Sequence, residues 1–179
     1  MRSFKTEGFV IKRRNFQESD RIITVLTKNY GKIQIKASGV RKITSRRSSH
    51  VELLNQSRLS LYKGRNLPVL TEVEVINNFQ EIKEDLKKIG FAYHICEIVD
   101  GLCAENQENE AIFDLLKNTL EKLCKDKEPT KLIYEFEMEL LSALGFYKNP
   151  KVQNFDTKTF IERLLERKLK SRQFFPEFS

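Results

Sequence analysis

Eleven of the sixteen cationic side chains among residues 1–80 fall into groups that could act together: Arg13, Arg14 and Arg21; Lys32 and Lys36; Arg41, Lys42, Arg46 and Arg47; Lys63 and Arg65. Phe16, Tyr30 and Tyr62 are interleaved with them. Guanidinium and ammonium groups neutralise phosphate, and an aromatic face accepts a stacked base whatever its identity. A polyanion track with candidate stacking residues therefore predicts salt-sensitive affinity without sequence specificity. Phe16, Tyr30 and Tyr62 serve equally well as core residues, and residue type alone leaves both roles open.

The elements that position these residues follow from periodicity. From Lys32 to Ala37 the sequence alternates, with Ile33, Ile35 and Ala37 on one face and Lys32, Gln34 and Lys36 on the other, so a core face and a cationic face are expected. Arg21 to Thr27 is β-branched and apolar, and Asn29-Tyr30-Gly31 supplies the turn of a hairpin. Glu7 to Arg13, Gln56 to Tyr62 and the run from Val69 to Val75 complete five strands, with Lys63-Gly64-Arg65-Asn66 as the last turn. Ser38 to Asn55, a basic Ser-rich stretch followed by a short apolar one, has the length of the crossover in a five-stranded OB barrel. Such a barrel binds ligand across strands two and three and against the first and last connections, which is where the cations fall.

From Phe79 the period becomes helical. Phe79, Ile82, Leu86, Ile89, Tyr93, Cys96 and Cys103 form one stripe; Ile112, Leu116, Leu120 and Leu123 a second; Leu132, Phe136, Leu140 and Leu144 a third, opened by Pro129 and closed by Gly145. A fourth helix is expected from about Thr159, with Thr159 and Glu162 at capping-box spacing, running through Leu164, Leu165 and Leu169. The fold class is α+β: an OB barrel over residues 1–79, then a helical bundle over 80–179. The charge divides in the same way. Residues 1–80 carry +10, residues 81–147 carry −7 and residues 148–179 carry +4, within a total of +7.

Catalysis finds little support. There is no glycine-rich phosphate loop, paired-His motif or nucleophile elbow, and His50 and His94 are the only histidines. Glu135, Glu137 and Glu139 read as a solvated face. Cys96, Cys103 and Cys124 have neither disulfide nor zinc-ribbon spacing, and Cys96 and Cys103 read as buried small hydrophobes. No apolar run approaches the roughly 20 residues of a membrane-spanning helix, and the N-terminus lacks signal-peptide patterning, so a cytoplasmic protein is expected.

The runs ESDRIITVLTKNYGKIQIKASGVRK, LSLYKGRNLPVLTEVEVI, AYHICEIVDGL, YEFEMELLSALGFY and LKSRQFF, in this order over nearly the whole chain, resemble the RecO family of bacterial recombination mediators. The resemblance implies an N-terminal OB fold and a helical domain, binding of single- and double-stranded DNA, and annealing of complementary strands. It also implies help to RecA in replacing single-strand-binding protein, together with RecR, at the nucleoid. Many relatives carry a four-cysteine zinc module before the last helix; here only Tyr147 to Lys158 stands in that place, without cysteine, so neither metal nor other cofactor is expected. A helical-domain pocket in relatives receives the acidic, aromatic-ended tail of single-strand-binding protein, and Lys170 and Arg172, among Arg167, Lys168, Leu169 and Phe174, are the expected contacts. The alternative from another class is a protein-interaction adaptor, or an RNA-binding OB module, without annealing activity.

Overall fold

β-branched alternation and turn chemistry produce five strands: β1 (Ser3–Phe16), β2 (Asp20–Thr27), β3 (Gly31–Ala37), β4 (Gln56–Tyr62) and β5 (Val69–Asn77). In the computed structural model, which describes residues 2–148 and 155–174 apart from the side chains of Arg172 and Phe174, they close into a barrel in the order β1-β2-β3-β5-β4. That is the OB arrangement. β1 is twice the length expected because it serves two neighbours. Its first half pairs with β4 from Ser3↔Tyr62 to Phe9↔Gln56, and its second half pairs with β2 from Gly8↔Thr27 to Phe16↔Asp20, with a register shift between Val10 and Lys12. β3 meets β5 in parallel at Lys36↔Val69.

The inward alternates form one core: Val10, Ile23, Val25, Ile33, Ile35, Ala37, Leu59, Leu61 and Leu70, joined by Val40 and Val51 from the crossover. Burying each such aliphatic side chain contributes about 1.5–3 kcal/mol. The β2–β3 turn needs a glycine at its end: Gly31 has φ +67°, and a Cβ there would lie 2.0 Å from the carbonyl oxygen of Gln107.

The chain divides into two compact units, Met1–Asn78 with Ala104–Phe113 and Phe79–Cys103 with Asp114–Ser179. The single boundary drawn at residue 79 thus misses a return. Residues 104–113 rejoin the barrel: the amide of Asn106 donates to the carbonyl of Lys32 at 2.8 Å, and Phe113 packs on Phe9 with ring centroids 5.1 Å apart.

The second unit contains α1 (Gln80–Lys83), α2 (Leu86–Leu102), all but the first turn of α3 (Glu110–Lys125), α4 (Pro129–Ala143), α5 (Thr157–Leu165) and a 3-10 turn, Lys170–Phe174. Asp85 caps α2 by accepting from the amides of Lys87 and Lys88, and Pro129 opens α4. The stripe expected on α2 is corrected at two places: Leu86 and Tyr93 are exposed, and the buried face is Gly90, Phe91, Ala92, Ile95, Cys96, Ile98 and Val99. A helix apolar on more than one side buries a wider arc than one stripe traces. α5 is capped by Asp156, not by the expected Thr159–Glu162 box, and ends at Leu165 because Glu166 turns left-handed at φ 54°. Leu169 is buried on the returning segment beyond that helix. No helix among the described residues is long and apolar enough to cross a membrane.

Candidate nucleic-acid interface

Strand register aligns the outward side chains of different strands. The pairs Arg14↔Ile22, Ile22↔Lys36, Lys36↔Val69 and Val69↔Tyr62 make one row around the outside of the barrel. Strands lie about 4.8 Å apart, so Lys36 sits roughly 10 Å along the sheet from both Arg14 and Tyr62. Phe16, two residues beyond Arg14 on the same face, lies between two cations: its ring centroid is 6.0 Å from Arg14 Cζ and 5.6 Å from Lys36 Nζ. Asp20 sets this corner. It pairs with Lys36 Nζ at 3.1 Å and accepts the amide of Gly39 at 2.8 Å. That amide first, then the lysine, holds the Asp20 carboxyl below its ordinary range.

A second cation cluster lies on the opposite face of the same strands. Arg13 pairs with Glu52 at 2.9 Å, Arg21 Nε reaches Asn15 Oδ1 at 3.4 Å, and Arg41 Nη1 donates to the carbonyl of Gln17 at 3.2 Å. Arg21 Nη1 is buried without a hydrogen-bond partner. Desolvation, then the proximity of Arg13 and Arg41, lowers the pKa of Arg21, against the pull of Glu52. Arg13 alone pairs with Glu52, while Arg21 Nη1 is left without a partner, a donor that a phosphate oxygen would satisfy.

Of the eleven expected cations, Arg14, Arg41, Lys42, Arg46, Lys63 and Arg65 are exposed. Arg47 is half-buried and structural: its guanidinium donates to the carbonyls of Ser38 at 3.0 Å and Leu70 at 3.2 Å, clamping the crossover to β5. Tyr62 is exposed beside the β4–β5 turn, and Tyr30 is exposed but leans on Phe4 with centroids 4.8 Å apart.

Lys32 departs from expectation. It is buried, because the segment 104–110 lies along β3 at this end, bridging Lys32↔Glu105. Glu105 accepts from Gln34 Nε2 at 2.7 Å, and Glu110 pairs with Lys28 at 3.3 Å. The expected cationic face of β3 is therefore reduced to its Lys36 end.

The helical unit holds a polar network that sequence reading missed. Glu137, expected on a solvated face, is buried; its Oε1 lies 2.5 Å from His94 Nε2 and its Oε2 accepts from Thr157 Oγ1. The other His94 nitrogen lies 2.9 Å from Ser171 Oγ, and Glu97 accepts the amides of Lys170 and Ser171, both at 2.9 Å, and Arg167 Nη1 at 2.6 Å. Burial opposes ionisation of Glu97, but Arg167 and these amides outweigh it and hold its carboxyl down to about 2. The connectivity Ser171, His94, Glu137 resembles a hydrolytic triad, yet Ser171 is buried and its amide is committed to Glu97, so the network is a latch that docks the 3-10 turn on α2. Lys170 is exposed on that turn; the side chain of Arg172 lies outside the described residues.

Next to the latch is a groove of about 760 Å³, lined by Phe91, Ile133, Tyr134, Phe155 and Leu169, with Lys87, Lys131 and Lys158 and the carboxylates of Glu128, Glu137 and Asp156 also on its wall. Spacing could have exposed the buried Glu137: it stands four residues after Ile133 and three before Leu140, on the apolar face. Among the described residues no group of three or more His, Cys, Asp or Glu side chains could hold a metal ion. Burial pushes the Cys96 thiol up to about 12, with Asp100 adding to the shift.

The strand order, the outward row and the cationic connections define an OB-fold barrel suited to polyanions, followed in the chain by a helical unit. The family model described as "Recombination protein O N terminal" matches residues 1–79, and that described as "Recombination protein O C terminal" matches residues 83–149. The chain belongs to the RecO family. It is 37% identical over 147 residues to the DNA repair protein RecO of Symbiobacterium thermophilum, which covers 82% of this chain and 58% of the relative. The same protein of Acetivibrio thermocellus matches at 37% over 147 residues, 82% of this chain and 59% of the relative, and that of Listeria innocua at 32% over 143 residues, 80% and 56%. The chain thus spans a little over half the length of these relatives.

Proposed function

We propose that this chain is a non-enzymatic DNA repair and recombination mediator that binds single- and double-stranded DNA without sequence specificity. In this reading it anneals complementary strands and assists RecA loading onto strands coated by single-strand-binding protein, together with RecR, in the cytoplasm at the nucleoid. The observation that carries the reading is the outward row Arg14, Lys36 and Tyr62 with Phe16 between two cations, flanked by the exposed Arg41, Lys42, Arg46, Lys63 and Arg65. Cations on this row contact backbone phosphate, and Phe16 and Tyr62 offer faces to unstacked bases. Two strands neutralised in this way repel each other less, which is what annealing requires.

The tail of single-strand-binding protein is assigned to the groove of the helical unit. An acidic, aromatic-ended peptide requires an apolar slot with cations at its edge, and Phe91, Ile133 and Tyr134 with Lys87, Lys131 and Lys158 meet that requirement. Lys170 is exposed on the 3-10 turn that follows Leu169 of the lining and is the further contact expected there. Fluorescence anisotropy of the full chain with labelled single-stranded DNA, matched RNA and an acidic aromatic-ended peptide tests both assignments. DNA binding abolished by charge reversal of Arg14 and Lys63, with peptide binding abolished by reversal of Lys131 and Lys158, is the expected outcome. Peptide binding that follows the barrel substitutions would contradict it.

A further inference from the structure

The crossover between β3 and β4 carries one large aliphatic side chain wholly in water. Ile43 is fully exposed, whereas every other large apolar side chain described in the barrel unit keeps more than half its surface covered. The amide of Ser45 donates to the carbonyl of Lys42 at 2.9 Å, so Ile43 and Thr44 occupy the two corners of a tight turn. Such corners favour Gly, Pro, Asn, Asp or Ser, and a β-branched residue gains nothing from the local conformation.

The turn stands on a rigid base. Val40 is fully buried, the amide of Arg41 donates to the carbonyl of Ser19 at 2.9 Å, and Arg47 clamps Ser38 and Leu70. Arg41, Lys42 and Arg46 flank the apex in the chain and are exposed. An aliphatic tip flanked in the chain by three exposed cations, tied to the connection next to Phe16, matches a ligand with phosphates outside and an apolar stack within. DNA is such a ligand, and proteins that deform it insert aliphatic wedges between base steps beside arginine and lysine. An anionic bilayer shares the charge, but one isoleucine offers little area to anchor in it.

We propose that Ile43 is a wedge that enters the base stack of DNA held on the cationic surface, opening one step at the crossover turn. This rests on the DNA-binding reading above and adds that the barrel unstacks what it binds. The cost of parting one step is offset by phosphate contacts and by withdrawal of the side chain from water.

The test uses the full chain with DNA carrying 2-aminopurine, whose fluorescence rises on unstacking, alongside anisotropy on the same oligonucleotides and sedimentation with phosphatidylglycerol vesicles. The natural chain and Ile43→Leu should raise the fluorescence several-fold at saturation. Ile43→Ala should raise it little while weakening affinity only roughly threefold to tenfold. An equal rise with Ile43→Ala overturns the wedge and leaves DNA binding standing. Absence of salt-sensitive anisotropy in every variant overturns the underlying reading. Vesicle binding lost in Ile43→Ala, with both DNA signals unchanged, assigns the apex to lipid and overturns the proposal.

Discussion

Lys32 and Lys36 occupy the same face of the same strand, four residues apart, yet the two ends of β3 have opposite characters. At the Lys36 end the ammonium is half-buried, is positioned by Asp20 over Phe16, and is followed by a crossover whose Arg41, Lys42 and Arg46 are exposed. At the Lys32 end the segment 104–110 brings Glu105, Glu108 and Glu110 to the β2–β3 turn, and Lys32 is buried beneath it. A lysine in a strand alternates outward by geometry, but what covers it decides whether it meets solvent, and here the cover comes from residues seventy positions later. The exposed positive charge along β3 therefore lies at its Lys36 end.

Four substitutions probe that polarity. The largest effect is expected from Arg14→Glu, Arg46→Glu and Lys63→Glu combined, all exposed cations on the first end or its flanking connections. Reversing them should cost at least about a hundredfold in oligonucleotide affinity at moderate salt, since each lost phosphate contact also removes counterion release. Circular dichroism melting should be nearly unchanged, because none of the three is buried. Lys32→Glu should do the reverse. A carboxylate buried beneath Glu105 leaves uncompensated like charge, and the barrel should lose about 3 kcal/mol in urea unfolding, the scale of a broken buried ion pair.

The difference between these two lysines also marks where sequence reasoning ended. Period-two alternation marks β3, β4 and β5 nearly to their ends, because inward Ile33, Ile35, Leu59 and Leu61 have no other way to be buried, and β-branched apolar composition with the Asn29-Tyr30-Gly31 turn marks β2. Of β1 only the middle, Glu7 to Arg13, is legible; Ser3–Thr6, which pair with β4, and Arg14–Phe16, which pair with β2, extend it at both ends. The burial of Lys32 and Glu137 was not legible from composition, because both depend on partners distant in the chain. For Glu137 the helical spacing held a usable signal; for Lys32 nothing local distinguishes it from Lys36. Phe16 and Tyr62 fall on the row expected to bind ligand, whereas Tyr30 stands at the acidic end beside Glu108.

Removing Tyr62 sharpens the comparison further. Tyr62→Ala should weaken single-stranded DNA by about tenfold, the worth of one stacked base, while Tyr30→Ala at the other end should change it by less than about twofold. Equal losses would place the strand along the whole of β3. The smallest effect concerns Asp20. Its folded pKa lies below the unfolded value, so its contribution to stability is present above the ordinary carboxylate range and is lost as pH falls toward the depressed value. Asp20→Asn should therefore lower barrel stability most near neutral pH and change it little well below about pH 4, so that the acid limb is flatter than in the natural chain, measured by urea unfolding across pH.

The most direct test of the polarised barrel is the salt dependence of single-stranded DNA binding, compared between the natural chain, Arg14→Ala and Lys32→Met. If the six exposed cations each neutralise one phosphate, the logarithmic slope should be about −4 for the natural chain. It should shrink by about 0.7 with Arg14→Ala and stay unchanged with Lys32→Met. A slope near zero, or an equal reduction from both substitutions, would contradict the account.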